Sequence, residues 1–293
     1  MTAPLFPPGH APALKSPEFG LAMGLVVGRH VLGMEDLHYG FWTDDLALDL
    51  QHLPEAQARY TEELIADIPP GVRSVLDVGM GAGNTARKLL ERGYTVDGVS
   101  PNAYLTAAAR QLLGSRVTIF ESRFEDVETD RRYDLILFSE SFLFMQADVA
   151  LGKAAALLNE GGHILICDIF RIPAESRSPI GGGKELATFR ATMAQFPFDL
   201  VRETDISANI APTFDLLDRA YREAIRPAYD LLMARFTAHR PWLMRFVRWR
   251  FRRQIDRLEQ KHFSGNRNAE NFLRHKSYRR FLFKKRVAQP VPG

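Results

Sequence analysis

The sequence predicts an α/β protein: a largely parallel β-sheet with helices on both faces, carrying a late, basic, all-helical insertion. Three observations predict it. Short β-branched runs alternate with amphipathic segments from residue 55 to residue 169. A glycine-rich bend, Gly79-Met80-Gly81-Ala82-Gly83, stands between one such run and one such segment. Residues 207–276 keep helical periodicity throughout, while strand patterns stand on either side of them.

Taken in order, residues 1–17 hold five prolines and no long apolar run, and are expected to be a disordered arm with no signal peptide. Residues 18–54 are expected to form an N-terminal helical lid. Their apolar run, Phe19 to Gly28, ends at Arg29 and His30 and is too short to span a bilayer. Ala56, Tyr60, Leu64 and Ile68 recur every four residues and predict a helix over 55–68, stopped by Pro69-Pro70-Gly71. Five strands follow at 72–78, 94–99, 117–120, 133–138 and 162–169, with helices at 84–92, 102–113 and near 148–158. Each β-branched run is short and apolar, as strands buried on both faces are. Residues 184–196 read as helix, 198–206 as a sixth strand and 278–285 as the last.

Composition narrows the chemistry. The single cysteine, Cys167, excludes an intrachain disulfide and a cysteine metal cluster, and its place inside the fifth strand reads as packing. The eight histidines are scattered without metal-ligand spacing, so no metal is expected. No Gly-x-Ser-x-Gly or Walker pattern occurs. The net charge of +3 is divided unevenly: residues 235–286 carry 17 Lys/Arg against 3 Asp/Glu, a local +14, so the remainder stands at −11. That block either faces an anionic partner or covers an acidic one.

The bend has the context a ligand-binding loop requires, a strand before it and a helix after it. Glycines at alternate positions let backbone approach a ligand, and the helix offers unpaired N–H groups. A plain tight turn is the alternative. Residue 84 is Asn, so the G-x-G-x-x-G dinucleotide pattern fails. Val75-Leu76-Asp77-Val78-Gly79-Met80-Gly81-Ala82-Gly83 resembles motif I of class I S-adenosylmethionine (SAM)-dependent methyltransferases. The resemblance covers roughly 36–169, and more loosely 184–206 and 278–285. It implies a Rossmann-like seven-stranded methyltransferase sheet with an antiparallel last strand. It further implies SAM at the carboxyl ends of the first two strands, and a SAM-binding domain over 55–206. Asp77 and Gly79 would then flank the methionine portion, with Gly81 and Gly83 giving close backbone approach.

Two positions depart from the family. Its usual acid after strand two is Ser100 here, leaving Ser100 and Asn102 as candidate ribose ligands without charge assistance. Cyclopropane-fatty-acid synthases and related lipid methyltransferases are similar in lacking that acid. The acid expected near the adenine amine is Arg123, with the Phe124 N–H as an adenine contact. After strand four, the resemblance implies that Ser139 lies on the cofactor side. Glu140 is a carboxylate among apolar residues, which raises its pKa and suits a general base; a loop-bracing acid is the alternative. Leu37-His38-Tyr39-Gly40-Phe41-Trp42 resembles the His-x-Gly-aromatic segment of tocopherol, sterol and related small-molecule methyltransferases. It implies Tyr39, then Trp42, against the sulfonium and His38 as a candidate base; ordinary core packing is the alternative. Phe142, Phe144 and Trp42 are expected as apolar walls, and Gly181-Gly182-Gly183 as a hinge.

Residues 207–276 are expected to be a helical cap insertion, and 277–293 the last strand and tail. Over 241–258, Trp242, Phe246 and Trp249 share one helical face, with Arg245, Arg248 and Arg252 on another. The aromatics either pack on the catalytic domain or meet a membrane surface. Nucleic acid is disfavoured, because the aromatics segregate from the basic face. The reading is cytoplasmic, membrane-associated if that face meets lipid, with methyl transfer to an apolar or amphipathic small molecule. The alternatives are an RNA-modifying methyltransferase, an enzyme using SAM otherwise, or a SAM-binding protein. The sequence leaves the oligomeric state open.

Overall fold

The computed structural model describes residues 16–174, 176 and 178–287. The arm expected over 1–17 lies outside the described residues as far as residue 15, and Ser16 and Pro17 open helix α1 (Ser16–Val31). The expected helical lid is helical only to Val31. Gly33 then turns the chain at φ 67°, and an irregular segment leads to α2 (Leu53–Ala66), which Pro54 helps to start.

The alternating core follows as predicted: β1 (Ser74–Val78), α3 (Asn84–Glu91), β2 (Thr95–Val99), α4 (Ala103–Leu113), β3 (Thr118–Phe120), β4 (Tyr133–Ser139), α5 (Ala147–Leu157) and β5 (Leu158–Arg171). A two-residue strand, β6 (Lys184–Glu185), precedes α6 (Leu186–Met193) and β7 (Phe198–Asp205). Then come α7 (Ser207–Ile210), α8 (Pro212–Ala220), α9 (Arg226–His239), α10 (Pro241–Arg250), α11 (Arg252–His262), α12 (Ala269–His275) and the closing β8 (Lys276–Lys285).

The strand order is β3-β2-β1-β4-β5-β8-β7, with β6 paired to the end of β5. Only β8 runs antiparallel to its neighbours, β5 and β7. The fold is therefore the seven-stranded sheet with an antiparallel closing strand that the resemblance implies, with β6 as an eighth strand. Period-two alternation builds its two layers. Val75, Leu135, Leu137 and Leu165 face α2, α3 and α4, meeting Tyr60, Leu64 and Leu89. Leu76, Ile136, Phe138 and Ile166 face α5 and α6, meeting Leu151 and Phe189. β5 starts four residues before the predicted strand because Leu158 already pairs with Tyr133, and the register then shifts before Leu135 meets His163. Gly161, at φ 72°, lies in that bulge.

The chain winds from β1 to β2 and β3 on one side, and returns through β4 and β5 on the other. Ligands of such sheets bind where the direction reverses, outside the carboxyl ends of the strands. Here that is the junction of β1, β2 and β4.

The insertion between β7 and β8 divides. Phe214 of α8 stacks on Phe272 of α12, ring centroids 4.5 Å apart, and both join the core against the sheet. α9 buries no residue and α10 only Met244. A π-helical turn, Tyr221–Ile225, joins α8 to α9 where Pro227 lacks the N–H that a regular helix would use. No helix among the described residues is long and apolar enough to cross a membrane.

Candidate active site

The glycine bend leaves β1 at Val78 and enters α3 at Asn84. Its amides at Gly79 and Met80 both donate to Val99 O, at 2.8 and 3.2 Å, which ties the bend to β2. Gly79 has φ 79°, and a Cβ there would stand 2.3 Å from Ser141 Cβ. Ser141 cannot easily withdraw, because its hydroxyl donates to Val78 O at 2.5 Å. At Gly81 the space on the Cβ side is open, so the backbone is bare at the middle of the bend. Helix α1 lies across this cradle: Leu25, 3 % exposed, packs on Ala82, Leu105 and Ala108.

Buried polar atoms without partners mark what the cradle is built to receive. Asp77 is 2 % exposed and its Oδ2 has no hydrogen-bond partner. Burial, and then the charge of Asp36, push its carboxyl up to about 7. Asn102 caps α4, its Oδ1 accepting the N–H groups of Tyr104 and Leu105, while its Nδ2 is buried and unpartnered. Ser100, also buried, accepts the Asn102 N–H at 3.4 Å. An orphan acceptor at the end of β1 fits an ammonium group, and an orphan donor beside β2 fits a hydroxyl. These residues therefore suit SAM, though Ser100 and Asn102 bring no charge to the ribose.

A second group of residues meets beside β4. Glu140 follows the strand with φ 52°, a backbone conformation costly for a non-glycine residue and most often kept where function requires it. Its Oε1 accepts the Tyr39 N–H at 3.0 Å and the Tyr278 hydroxyl at 2.6 Å. Tyr278 OH lies 3.0 Å from Tyr60 OH, which lies 3.1 Å from Ser139 Oγ. Burial raises the Glu140 carboxyl above the ordinary range, outweighing the opposing effects of His38 and Tyr278. On the neighbouring strand Asp168, 1 % exposed, accepts the Leu143 and Ile169 N–H groups, yet burial carries it up to about 8.

His38 has both ring nitrogens engaged: Nδ1 is 2.9 Å from Tyr39 O, and Nε2 is 3.1 Å from Thr61 Oγ1 and 3.6 Å from Asp36. Its ring stacks on Tyr60. Burial favours the neutral imidazole, but Asp36 and Glu140 prevail and raise its pKa. Tyr39 stacks on Phe214, centroids 4.8 Å apart, and meets Tyr278 edge-on. A cavity of about 90 Å³ opens here, lined by Tyr39, Phe214, Leu217, Asp218, Tyr221 and Arg267. An open cleft of about 390 Å³ continues past Asp218 to Arg219, Arg222 and Asn268.

The structure thus gathers Asp77, Gly79, Gly81, Gly83, Ser100 and Asn102 at the cradle, and Tyr39, His38, Ser139 and Glu140 around the carboxylate network. Several expectations need correction. Arg123 pairs with Glu125 at 3.1 Å with its side chain 65 % exposed, since the short turn after β3 aims it at solvent. The Phe124 ring is core, edge-on to Phe138, which does not bear on the contact expected of its N–H. Trp42 belongs to a separate cluster with Leu46, Leu53, Ala56 and Leu216, and its Nε1 donates to Thr213. Phe142 is sealed between Phe138 and Phe189, and Phe144 is 75 % exposed, so neither walls the cavity. The glycine triplet is held as well as bent: β6 pairs directly after it, Lys276 Nζ donates to Gly182 O, and a Cβ on Gly183 would stand 2.9 Å from Ile169 O. Cys167 is fully buried, and no metal-ligating group of His, Cys, Asp or Glu occurs among the described residues. Sequence reasoning missed Tyr60, Asp168 and Tyr278; of these only Asp168 carries a signal, a carboxylate inside an otherwise apolar run of its strand.

A protein family described as a methyltransferase domain matches residues 50–264. Among curated relatives, a methyltransferase of Bacillus cytotoxicus is 32 % identical over 131 residues, covering 44 % of this chain and 61 % of its own. One of Bacillus mycoides is 32 % identical over 123 residues, covering 41 % and 58 %. The chain thus spans about three fifths of the length of these relatives. Similar solved structures include geranyl diphosphate C-methyltransferase of Streptomyces coelicolor, 14 % identical, TM-score 0.63, covering 94 % of this chain and 100 % of that one. They also include the cyclopropane synthase MmaA2 of Mycobacterium tuberculosis, 16 % identical, TM-score 0.63, covering 93 % and 95 %. The [4+2]-cyclase SpnF is 17 % identical with TM-score 0.65, covering 92 % and 93 %. At these identities the likeness is one of fold.

Proposed function

The chain belongs to the methyltransferase-domain family, and on that premise we propose that it transfers the methyl group of SAM to an apolar or amphipathic small molecule held beside Tyr39. The observation that carries the reading is the buried, unpartnered Asp77 Oδ2 at the mouth of the parallel sheet, next to a bend that only glycine backbone can form. When bound, SAM supplies a methyl group on a sulfonium, already activated for attack. The protein's work is then to hold, align and deprotonate.

Asp77 takes the ammonium end of the cofactor, with Gly79 to Gly83 as its backbone floor. Asn102 Nδ2 and the Ser100 hydroxyl take the ribose. Tyr39 sits between the Glu140 network and the cavity, its ring face turned to Phe214. The acceptor occupies the cavity, its apolar body against Tyr39, Phe214 and Leu217, its polar end towards Arg267 and the open cleft. Both hydrogen bonds to Glu140 fall on Oε1, so Oε2 is the oxygen that takes the acceptor's proton. His38, its pKa raised by Asp36 and Glu140, has both ring nitrogens engaged, at Tyr39 O and at Thr61, and serves to fix Tyr39. Helix α1 acts as a lid. Leu25 seals it with about 1.5–3 kcal/mol of burial, a contact weak enough to release for ligand exchange.

The test screens acceptors with methyl-labelled SAM and identifies the product by mass. A one-methyl gain with release of S-adenosylhomocysteine is expected from amphipathic acceptors. Glu140→Gln should lower kcat by about 10²–10⁴-fold while leaving SAM affinity nearly unchanged. A product isomeric with its substrate would reject methyl transfer. Full activity in Glu140→Gln would reject the base.

A further inference from the structure

Among the described residues, helices α9 and α10 carry a group of exposed aromatics, Phe236, Trp242, Phe246 and Trp249, with Phe251 just after them. On α10, Trp242, Phe246 and Trp249 are 67, 53 and 75 % exposed. Steps of four and three residues place them within about 60° of one another around the helix axis. Met244 and the half-buried Val247 occupy the opposite side, so the stripe faces directly outward. Arg245 and Arg250 flank it on either side, which revises the expectation that arginines and aromatics occupy separate faces. Leu231, Leu232 and Phe236 of α9 are also exposed.

The charge around the stripe is almost all of one sign. From residue 240 to residue 257 there are seven arginines and one acid, Asp256. Among the described residues, only Arg252 of these seven pairs with an acid, Asp256 at 3.7 Å. The other basic segment behaves differently. In β8 and just after it, Arg279 pairs with Glu203 and Asp205, Lys285 with Glu160, and Arg286 with Asp199. Acids elsewhere in the chain thus pair with β8, whereas among the described residues none outside α11 pairs with the arginines of α10 and α11.

We propose that α9 to α11 dock on an anionic lipid bilayer. The Trp242–Phe246–Trp249 stripe enters the headgroup–acyl boundary, and the flanking arginines meet lipid phosphates. Outward aromatics with an arginine rim match that boundary, apolar at the centre and anionic at the edge. A second copy of the chain matches poorly, because a two-fold contact would set seven arginines against seven. Nucleic acid matches poorly as well, because a central stripe of three ring side chains on a straight helix leaves phosphate contacts only at the margin.

The experiment uses the full chain, co-sedimented with vesicles of phosphatidylcholine alone or with added phosphatidylglycerol. Partition onto the anionic vesicles should be at least about tenfold stronger and should weaken with salt. The triple variant Trp242→Ala, Phe246→Ala, Trp249→Ala should lose about tenfold or more in partition while its melting temperature stays put, since the three side chains are exposed. Equal partition onto both vesicles, or unchanged binding by the triple variant, would overturn the proposal. So would a salt-sensitive affinity for RNA exceeding that for vesicles, or a solution dimer that the triple variant abolishes. SAM titration is independent of this face, so failure here and failure of the methyltransferase reading are separate results.

Discussion

At the scale of the residue, the site is a balance between burial and a few hydrogen bonds. Glu140 is raised by burial and held back by Tyr278, whose hydroxyl donates at 2.6 Å. Tyr278→Phe removes the restraint without changing shape, so the carboxyl should rise further. A base is active when deprotonated, so the acidic limb of the kcat/KM profile should move to higher pH by about one unit or more. A shift to lower pH, or none, would show that Glu140 is not the titrating base. Asp77 and Glu140 are legible in the sequence because each is an acid in a run of apolar residues. Tyr60 and Tyr278 are not, because 218 positions separate partners that the fold sets 3.0 Å apart. His38 is legible as a site residue but not in its role, which depends on Tyr39 O at Nδ1 and on Thr61 and Asp36 at Nε2.

At the scale of the element, the bend between β1 and α3 is the most constrained part of the molecule. Gly79→Ala places a methyl group against Ser141 in a left-handed conformation. The variant should lose about 1–3 kcal/mol of stability and most of its SAM binding, measured by thermal melting and calorimetry. Wild-type melting and binding would mean that the bend relaxes freely. Strands were easy to place, because each apolar run is bounded by a glycine or a polar turn. Their ends were harder: β5 gains four residues from a bulge, and β8 begins two residues early at the buried Lys276. The π turn before Pro227 had no sequence mark beyond the proline itself, because a helix absorbs that missing N–H either by breaking or by widening.

At the scale of the molecule, the charge split of +14 against −11 was visible in the sequence, but its meaning was not. The structure shows it serving two ends, ion pairs that fasten β8 into the sheet and a predominantly basic surface on α10 and α11. The central claim concerns the other end of the chain, where a parallel sheet opens onto the bend after Asp77. Calorimetric titration of the full chain with SAM tests it most directly, with Asp77→Asn measured alongside. One site per chain is expected, weakened about tenfold to a hundredfold in the variant, since Asn cannot offer an ammonium a charged acceptor. No binding to the wild type, or equal binding by both, would contradict the account.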